Sequence, residues 1–310
     1  MSRLRALEPT LAALAQSECN EQQTLRADYI NELQTWIEKS AHLQASTDEQ
    51  LLLAFLRRCR FSLEETKRRI DNYYALRNSF PDVLCNRQVD EALLTQFDRG
   101  IHLIPALPID ANGPRLIFSQ FSKVDPKASN PREAFKLAFM LFELLALQCD
   151  NASIAGLYWI VDAGDCSLEQ MLQYDPFLLK KTFMLVEQCL PLRFAEIHVV
   201  NMISAGLKVF NFVTSFLPAK LPFKFMLHKT LEDVYEHLPR EAMIAEHGGR
   251  NGSKEQVLKD WRQQLLAHRE YFERDAALGT NEQLRSGQAK AWANAELAGT
   301  SGSFRKLEVD

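Results

Sequence analysis

The sequence predicts an α/β protein in two parts: a small all-helical N-terminal domain packed on an α/β domain with a mainly parallel sheet. Three observations carry this reading. Helix-start signals, and no strand-like run, occupy the chain before Gly100. After Gly100 the apolar pattern changes to short strand-like runs bounded by turn signals. From there strand-like and helix-like segments alternate, which implies crossover connections and parallel pairing.

The elements follow in order. A long helix is expected over about 21–43. Ser46 and Glu49 have the spacing of a capping box before a helix through Leu51 to Arg58. Ser62 and Glu65 repeat that spacing before a helix that Pro81 ends. Residues 89–99 read as another helix, closed by Gly100. Residues 101–104 and 115–119 read as strands, separated by the turn signal Asp110, Ala111, Asn112, Gly113. Asn130, Pro131 and Glu133 open a helix with a cap, a proline in the first turn and an acid behind it. That helix runs to Leu147 and is apolar nearly all round, so it is sandwiched in a core or lines a cavity. Residues 157–161 form a buried-type strand ending at Asp162. Ser167 with Gln170, and Asp175 with Pro176, start two more helices, and 196–200 is the next strand. A final amphipathic helix is expected over 254–272, with Trp261, Leu265 and Leu266 inward. From about Leu278 the composition is that of a mobile tail, with at most a short helix near 289–297. The expected organisation is an extension (1–24), a helical domain (25–98), an α/β domain (99–253), a C-terminal helix (254–275) and the tail (276–310).

Composition excludes some classes of function. A net charge of −4 gives no global basic character to recruit nucleic acid. The charge is uneven, however. Between Lys180 and Lys229 seven cations face two acids, and the 57–69 stretch holds Arg57, Arg58, Arg60, Lys67, Arg68 and Arg69 against Glu64 and Glu65. Each island is either a solvated helix face or the footprint of an anionic partner. The six cysteines form no CxxC pair, so they read as reduced thiols of a cytosolic protein, and no apolar run is long enough to span a membrane. The chain contains no GxSxG, HExxH, Walker loop or GxGxxG. Gly248, Gly249 and Gly252 read as a turn. His198 in its apolar strand reads as a core histidine, and Asp162 as a structural acceptor.

The helix-like run 204–217 is the most unusual stretch. Val209, Phe210, Phe212, Val213, Phe216 and Leu217 cover an arc of roughly 160°, wider than an ordinary core stripe, and Lys220 and Lys224 follow. From the pattern alone it is either a broad core helix or a lid that closes a greasy cavity and dips into a bilayer surface.

Several segments occur in an order that resembles the CRAL-TRIO lipid-binding family. They are FLRRCRF (55–61), IVDAGD (160–165), IHVVN (197–201) with its following helix, and EHGG (246–249). The chain is most similar to the group of alpha-tocopherol transfer and cellular retinaldehyde-binding proteins and is insect-like within it; the likeness covers roughly 25–275. The resemblance implies a non-enzymatic cytosolic carrier, transiently at membranes and monomeric, with no cofactor besides a bound hydrophobic lipid. The helix after the IHVVN strand would be a gate, carrying Leu207, Phe210, Phe216 and Leu217. Pocket positions fall on Phe135, Ala138, Phe139, Phe142, Leu185, Val186, Leu192, Phe194, Ile197, Val209, Phe212 and Val213. Phosphoinositide positions fall on Arg193, Lys220 and Lys224, with Arg60 beside Cys59, which stands where the pattern has arginine. Ala195 replaces a second cation. Phe139, Phe142 and Phe194 are bulkier than the pattern, so a narrower pocket is expected. The alternative is a phosphoinositide-reading trafficking or scaffolding module with a vestigial pocket.

Overall fold

The computed structural model describes residues 4–124, 127, 131–167, 169–170, 173–174, 176–214 and 223–285, with backbone alone at 176, 177, 205, 209 and 212–214. The chain begins with α1 (Pro9–Cys19), whose Leu11, Ala15 and Cys19 pack against Ile154 in a small satellite core. The expected helix over 21–43 is shorter: a 3-10 turn at Gln23–Leu25 leads into α2 (Arg26–Lys39), and the chain then turns into the short strand β1 (Leu43–Gln44).

Helix α3 (Glu49–Arg58) starts two residues later than a capping box at Ser46 requires. The cap is Asp48, whose carboxylate accepts from the Gln50 and Leu51 amides, while Ser46 Oγ accepts from the Asp48 amide. Helix α4 (Leu63–Ser79) does begin after Ser62, but no side-chain cap bond forms there. Then come α5 (Pro81–Leu84) and α6 (Glu91–Asp98), the latter capped by Asp90.

The second part is a five-stranded sheet ordered β2 (His102–Leu103), β3 (Arg115–Gln120), β4 (Leu157–Asp162), β5 (Phe194–Val200) and β6 (Lys224–His228). Only β2 runs antiparallel; the other four strands are mutually parallel. The sequence reading did not include β6, a strand of five residues with a lysine and a histidine at its ends. The crossovers are α7 (Pro131–Gln148) with α8 (Asp150–Ile154), α9 (Pro176–Gln188), and α10 (Ser204–Thr214). Ser167 and Gln170 exchange the two bonds of a capping box.

The expected C-terminal helix breaks at His268 into α11 (Lys254–Ala267) and α12 (Arg269–Asp275). Leu265 is buried and Trp261 half-buried, as expected of an inward stripe, but Leu266 lies 37% exposed on the outer side. The start of the expected mobile tail is docked: β7 (Gly279–Thr280) pairs antiparallel with β1, and Arg285 binds Asp71 and Glu282. The proposed helix near 289–297 lies outside the described residues.

One face of the sheet, with α7 and α9, joins the helical domain in a single apolar core from Ile30 to Phe272. The other face packs Phe118, Ile160 and Val200 against Val234, Leu238 and Met243 of the connection to α11. That connection closes at the EHGG segment for a steric reason: a Cβ on Gly249 would stand 1.9 Å from the Met243 carbonyl oxygen.

Several charged groups inside the first core form ion pairs. Glu143, the one acid on the buried side of α7, accepts from Tyr73 at 3.0 Å, from Arg87 and from Tyr271. Arg77 and Arg87 also reach Asp275. This cluster ties α4, α7 and α12 together. A second ties the N-terminus to the body: Arg57 bonds Glu21 at 2.8 Å and Asp150 at 2.6 Å, and Arg5 bonds Asp150 at 2.7 Å.

His102 is buried and neutral. Ser119 Oγ–H donates to its Nδ1 at 2.8 Å, its Nε2–H donates to the Ala134 carbonyl at 2.9 Å, and Trp159 Nε1–H donates to Ser119 at 2.8 Å. Burial drops its pKa to about 4 from 6.5. The folded value lies below the unfolded one, so the unfolded chain takes the proton first. The stability held above pH 6.5 is lost as pH falls from 6.5 toward 4. His102 alone accounts for about 3 kcal/mol across that window. Urea melts of His102→Asn at pH 7 and pH 4.5 check this: the pH-dependent loss seen in the parent should shrink in the variant.

Candidate functional site

The candidate site is an apolar cavity of about 150 Å³ toward the C-terminal ends of β4 and β5. This is where open parallel sheets place ligands, because the loops leaving neighbouring strands diverge there. Trp159 and Val161 of β4, Ile197 and Val199 of β5, and Phe225 of β6 form its floor. Phe135 of α7 and Leu179, Thr182, Phe183 and Val186 of α9 form its walls. Gly206 and Phe210 of α10 cover it, so the expected gate helix does lie over a cavity. The Phe210 ring stacks on Phe225 with centroids 4.9 Å apart, and Phe183 meets Phe225 at 6.0 Å.

The face of β5 that meets the cavity is set by a bulge. The register jumps from Leu157–Phe194 to Tyr158–Glu196, leaving Ala195 as the extra residue. Strict alternation would have placed Glu196 with Phe194. The bulge instead aligns Phe194, Ile197 and Val199 toward the apolar side and turns Glu196 and His198 to the other. There His198 Nε2–H donates to Glu196 at 3.1 Å, and its Nδ1 faces His228 Nε2 at 2.9 Å. His198 is thus a hydrogen-bonded buried histidine away from the cavity.

Of the expected pocket residues, Phe135, Val186 and Ile197 line the cavity. Ala138, Phe139, Phe142, Leu185, Leu192 and Phe194 are buried in the core rather than on its surface. The reason is ring packing. Phe142 meets Phe139, Trp159 and Phe194 at 5.4–5.6 Å between centroids, and Trp159 meets Phe194 at 5.6 Å. These four rings occupy the volume beneath the cavity. The side chains of Val209, Phe212 and Val213 lie outside the described residues, as do Phe216, Leu217 and Lys220. Leu207 of α10 is half-buried but is not part of the wall.

The sequence reading missed Trp159, Val161, Val199, Phe183 and Phe225 as lining residues. For Trp159, Val161 and Val199 the signal was the period of two along β4 and β5, which places 159, 161, 197 and 199 on one face; Phe183 of α9 and Phe225 of β6 carried no such signal. Cys166 and Tyr174 also border the cavity. Burial, then the charges of Asp162 and Asp165, push the Cys166 thiol up to about 11. Burial, and then the Cys166 thiol, push the Tyr174 phenol up as well. Both are protonated at neutral pH. Truncating the ring that supports the floor should therefore enlarge a neutral, apolar space. Phe142→Ala is expected to cost about 3–5 kcal/mol in stability and to admit bulkier hydrophobic probes, read by denaturation and by quenching of Trp159 fluorescence.

The expected phosphate-binding cations are distributed differently. Arg193, just before β5, pairs with Glu18 at 3.1 Å, and Arg60 reaches Asn20 at 3.4 Å, so both sit at the end of α1. Lys224 opens β6, 74% exposed, with its amine 2.9 Å from Glu196. Burial would raise the Glu196 carboxyl, but the hydrogen bond and charge of Lys224, with His198, outweigh it and hold that carboxyl low. Arg193 and Lys224 therefore lie at the starting ends of neighbouring parallel strands, each already engaged by one acid.

Comparison with known proteins agrees with this architecture. Residues 22–94 match the family model described as "Pinta-like, UBA domain", and residues 102–249 match the CRAL/TRIO domain. The "Alpha-tocopherol transfer protein-like" proteins of Mus musculus and Homo sapiens are 26% identical over 270 residues, 86% of this chain and 77% of each relative. "Clavesin-1" of Mus musculus is 23% identical over 259 residues, 80% of this chain and 71% of that one. A solved structure titled "Crystal structure of Sfh5" aligns with a TM-score of 0.49 and 12% identity, over 85% of this chain and all of that one. A helical domain therefore precedes a CRAL/TRIO domain at residues 102–249, whose mainly parallel sheet has a crossover helix over an apolar cavity.

Proposed function

We propose that the protein is a cytoplasmic, non-enzymatic carrier that holds one hydrophobic molecule beneath α10 and exchanges it at membranes. The observation that carries this reading is the neutral apolar cavity covered by that helix. Burying apolar ligand surface supplies affinity at about 25 cal/mol per Å², before ordering costs. A cavity of this size takes a single ring or a chain end. A ligand of tocopherol or retinoid size needs the stacked Phe210 and Phe225 to part, which couples loading to movement of α10. Protonated Cys166 and Tyr174 offer no nucleophile or base at neutral pH, which supports a carrier over a catalyst. Among the described residues no helix is long and apolar enough to cross a membrane, so contact with a bilayer is proposed to be peripheral.

Membrane exchange is proposed to follow docking of Arg193, Lys220 and Lys224 on phosphoinositide headgroups, each cation near the surface adding about 1 kcal/mol. Docking would favour the open position of α10 by population shift. The pairing of Arg193 and Lys224 with single acids implies weaker headgroup selectivity than three free cations would give. Lys220→Glu combined with Lys224→Glu should reduce sedimentation with phosphatidylinositol bisphosphate vesicles at least about 30-fold and leave hydrophobic-probe capacity intact. Unchanged sedimentation removes these lysines from the mechanism. The four-ring cluster under the cavity favours a second reading, a headgroup-reading trafficking module with a vestigial pocket. Absence of any probe uptake together with normal vesicle binding would select it.

A further inference from the structure

The cavity beneath α10 is walled in part by two hydroxyls that the fold does not use. Tyr174 and Thr182 both line it. The phenol oxygen of Tyr174 and the hydroxyl oxygen of Thr182 are buried, and neither has a hydrogen-bond partner among the described residues. The floor is different: the Trp159 indole N–H is already taken by Ser119, at 2.8 Å.

Thr182 is the more telling of the two. A threonine inside a helix can turn its hydroxyl to the carbonyl four residues back. Thr66 bonds the Ser62 carbonyl at 2.7 Å in this way, and Thr95 bonds that of Glu91 at 2.8 Å. Thr182 makes no such bond. It shares one face of α9 with Leu179, Phe183 and Val186, and that face walls the cavity. Tyr174 precedes α9 and packs its ring against Phe121 and Phe135, at 5.0 and 6.1 Å between centroids. Both of those rings also line the cavity. Each buried hydroxyl without a partner costs about 1–3 kcal/mol, a cost that a ligand can offset. Among the described lining residues none is charged.

We propose that the ligand of this cavity carries an uncharged oxygen acceptor, such as that of a ketone, ester or alcohol, which takes the Tyr174 and Thr182 hydroxyls. Its apolar remainder would lie against Trp159, Ile197 and Phe210. The inference rests on the carrier reading and narrows its ligand class. A pure hydrocarbon would leave both donors unpaired, and a carboxylate would be buried without a counter-ion. A cavity of about 150 Å³ holds one benzene-sized ring, so both hydroxyls lie within reach of a single ring bearing an oxygen substituent. Tyr174 and Thr182 set specificity, while the apolar walls supply affinity.

Benzylacetone, butylbenzene and hydrocinnamate have one ring and nearly one shape, and differ in carrying a ketone, a methylene or a carboxylate. Calorimetric titration of each into the full chain, and into Tyr174→Phe and Thr182→Val, reads the affinities. Each variant should weaken benzylacetone about fivefold and leave butylbenzene no weaker. Hydrocinnamate should bind the parent at least about 100-fold more weakly than benzylacetone. The ligand-free variants should melt no lower than the parent, because each sheds an unpaired hydroxyl. A ratio of benzylacetone to butylbenzene affinity that is unchanged in both variants overturns this inference and leaves the carrier reading standing. So does a carboxylate that binds as tightly as the ketone. Melting temperatures lowered in both ligand-free variants would assign the hydroxyls to the fold and overturn it too. Failure of all three probes to bind the parent removes the carrier reading, and the inference with it.

Discussion

Replacing Glu143 with alanine is expected to lower the unfolding free energy by about 3–5 kcal/mol. Glu143 sits on α7 among apolar neighbours, and its carboxylate receives Arg87, Tyr73 and Tyr271. Burial alone would raise its pKa, but Arg87 and then Arg77 outweigh that and hold it low. Without this carboxylate, two buried guanidiniums share Asp275 alone, and an unpaired buried charge is the costly outcome. Tyr73→Phe removes one hydrogen bond and should cost only about 1 kcal/mol. Guanidinium melts of both variants distinguish the two costs. A loss for Glu143→Ala no larger than for Tyr73→Phe would show that the cluster does not hold the helical domain, α7 and α12 together.

The second large effect concerns the cavity itself. Val186→Trp places an indole from α9 into the space bounded by Trp159, Ile197 and Phe210. Overpacking should cost about 1–3 kcal/mol in stability. Denying a ligand roughly 100 Å² of apolar burial should weaken binding by about 2.5 kcal/mol, or some 60-fold. Titration of a fluorescent fatty acid, followed through Trp159 quenching, reads the affinity, and a melting curve reads the fold. A folded variant with parent affinity would place the ligand elsewhere.

The two-part architecture was legible in the sequence because its signals are local and strong. Gly100 separates helical from strand periodicity, and 157–161 and 196–200 are runs too short for helices. Strand β6 was not legible, because Lys224 and His228 acquire their partners only across the sheet. Asp48, not Ser46, caps α3, because two candidate caps two residues apart cannot be separated by spacing alone. The break at His268 and the docking of Gly279 and Thr280 on β1 depend on tertiary contacts of the same kind.

The site was legible in outline: an unusually apolar helix after β5 does cover a cavity. Its lining was only partly so. Whether Phe142 faces a ligand or another ring depends on rotamers and on the Ala195 bulge, and neither is encoded in a pattern of apolar positions. The basic stretch at 57–69 resolved into three kinds of residue. Arg57 is a buried structural ion, Arg60 lies beside α1, and Arg58 with Arg69 faces an open cleft.

Native mass spectrometry of the protein from its own source, with organic extraction of what co-purifies, tests the carrier reading most directly. One apolar molecule per chain, absent from Val186→Trp, is the expected result. A protein that is empty as isolated, and that takes up no hydrophobic probe while still binding phosphoinositide vesicles, would contradict it.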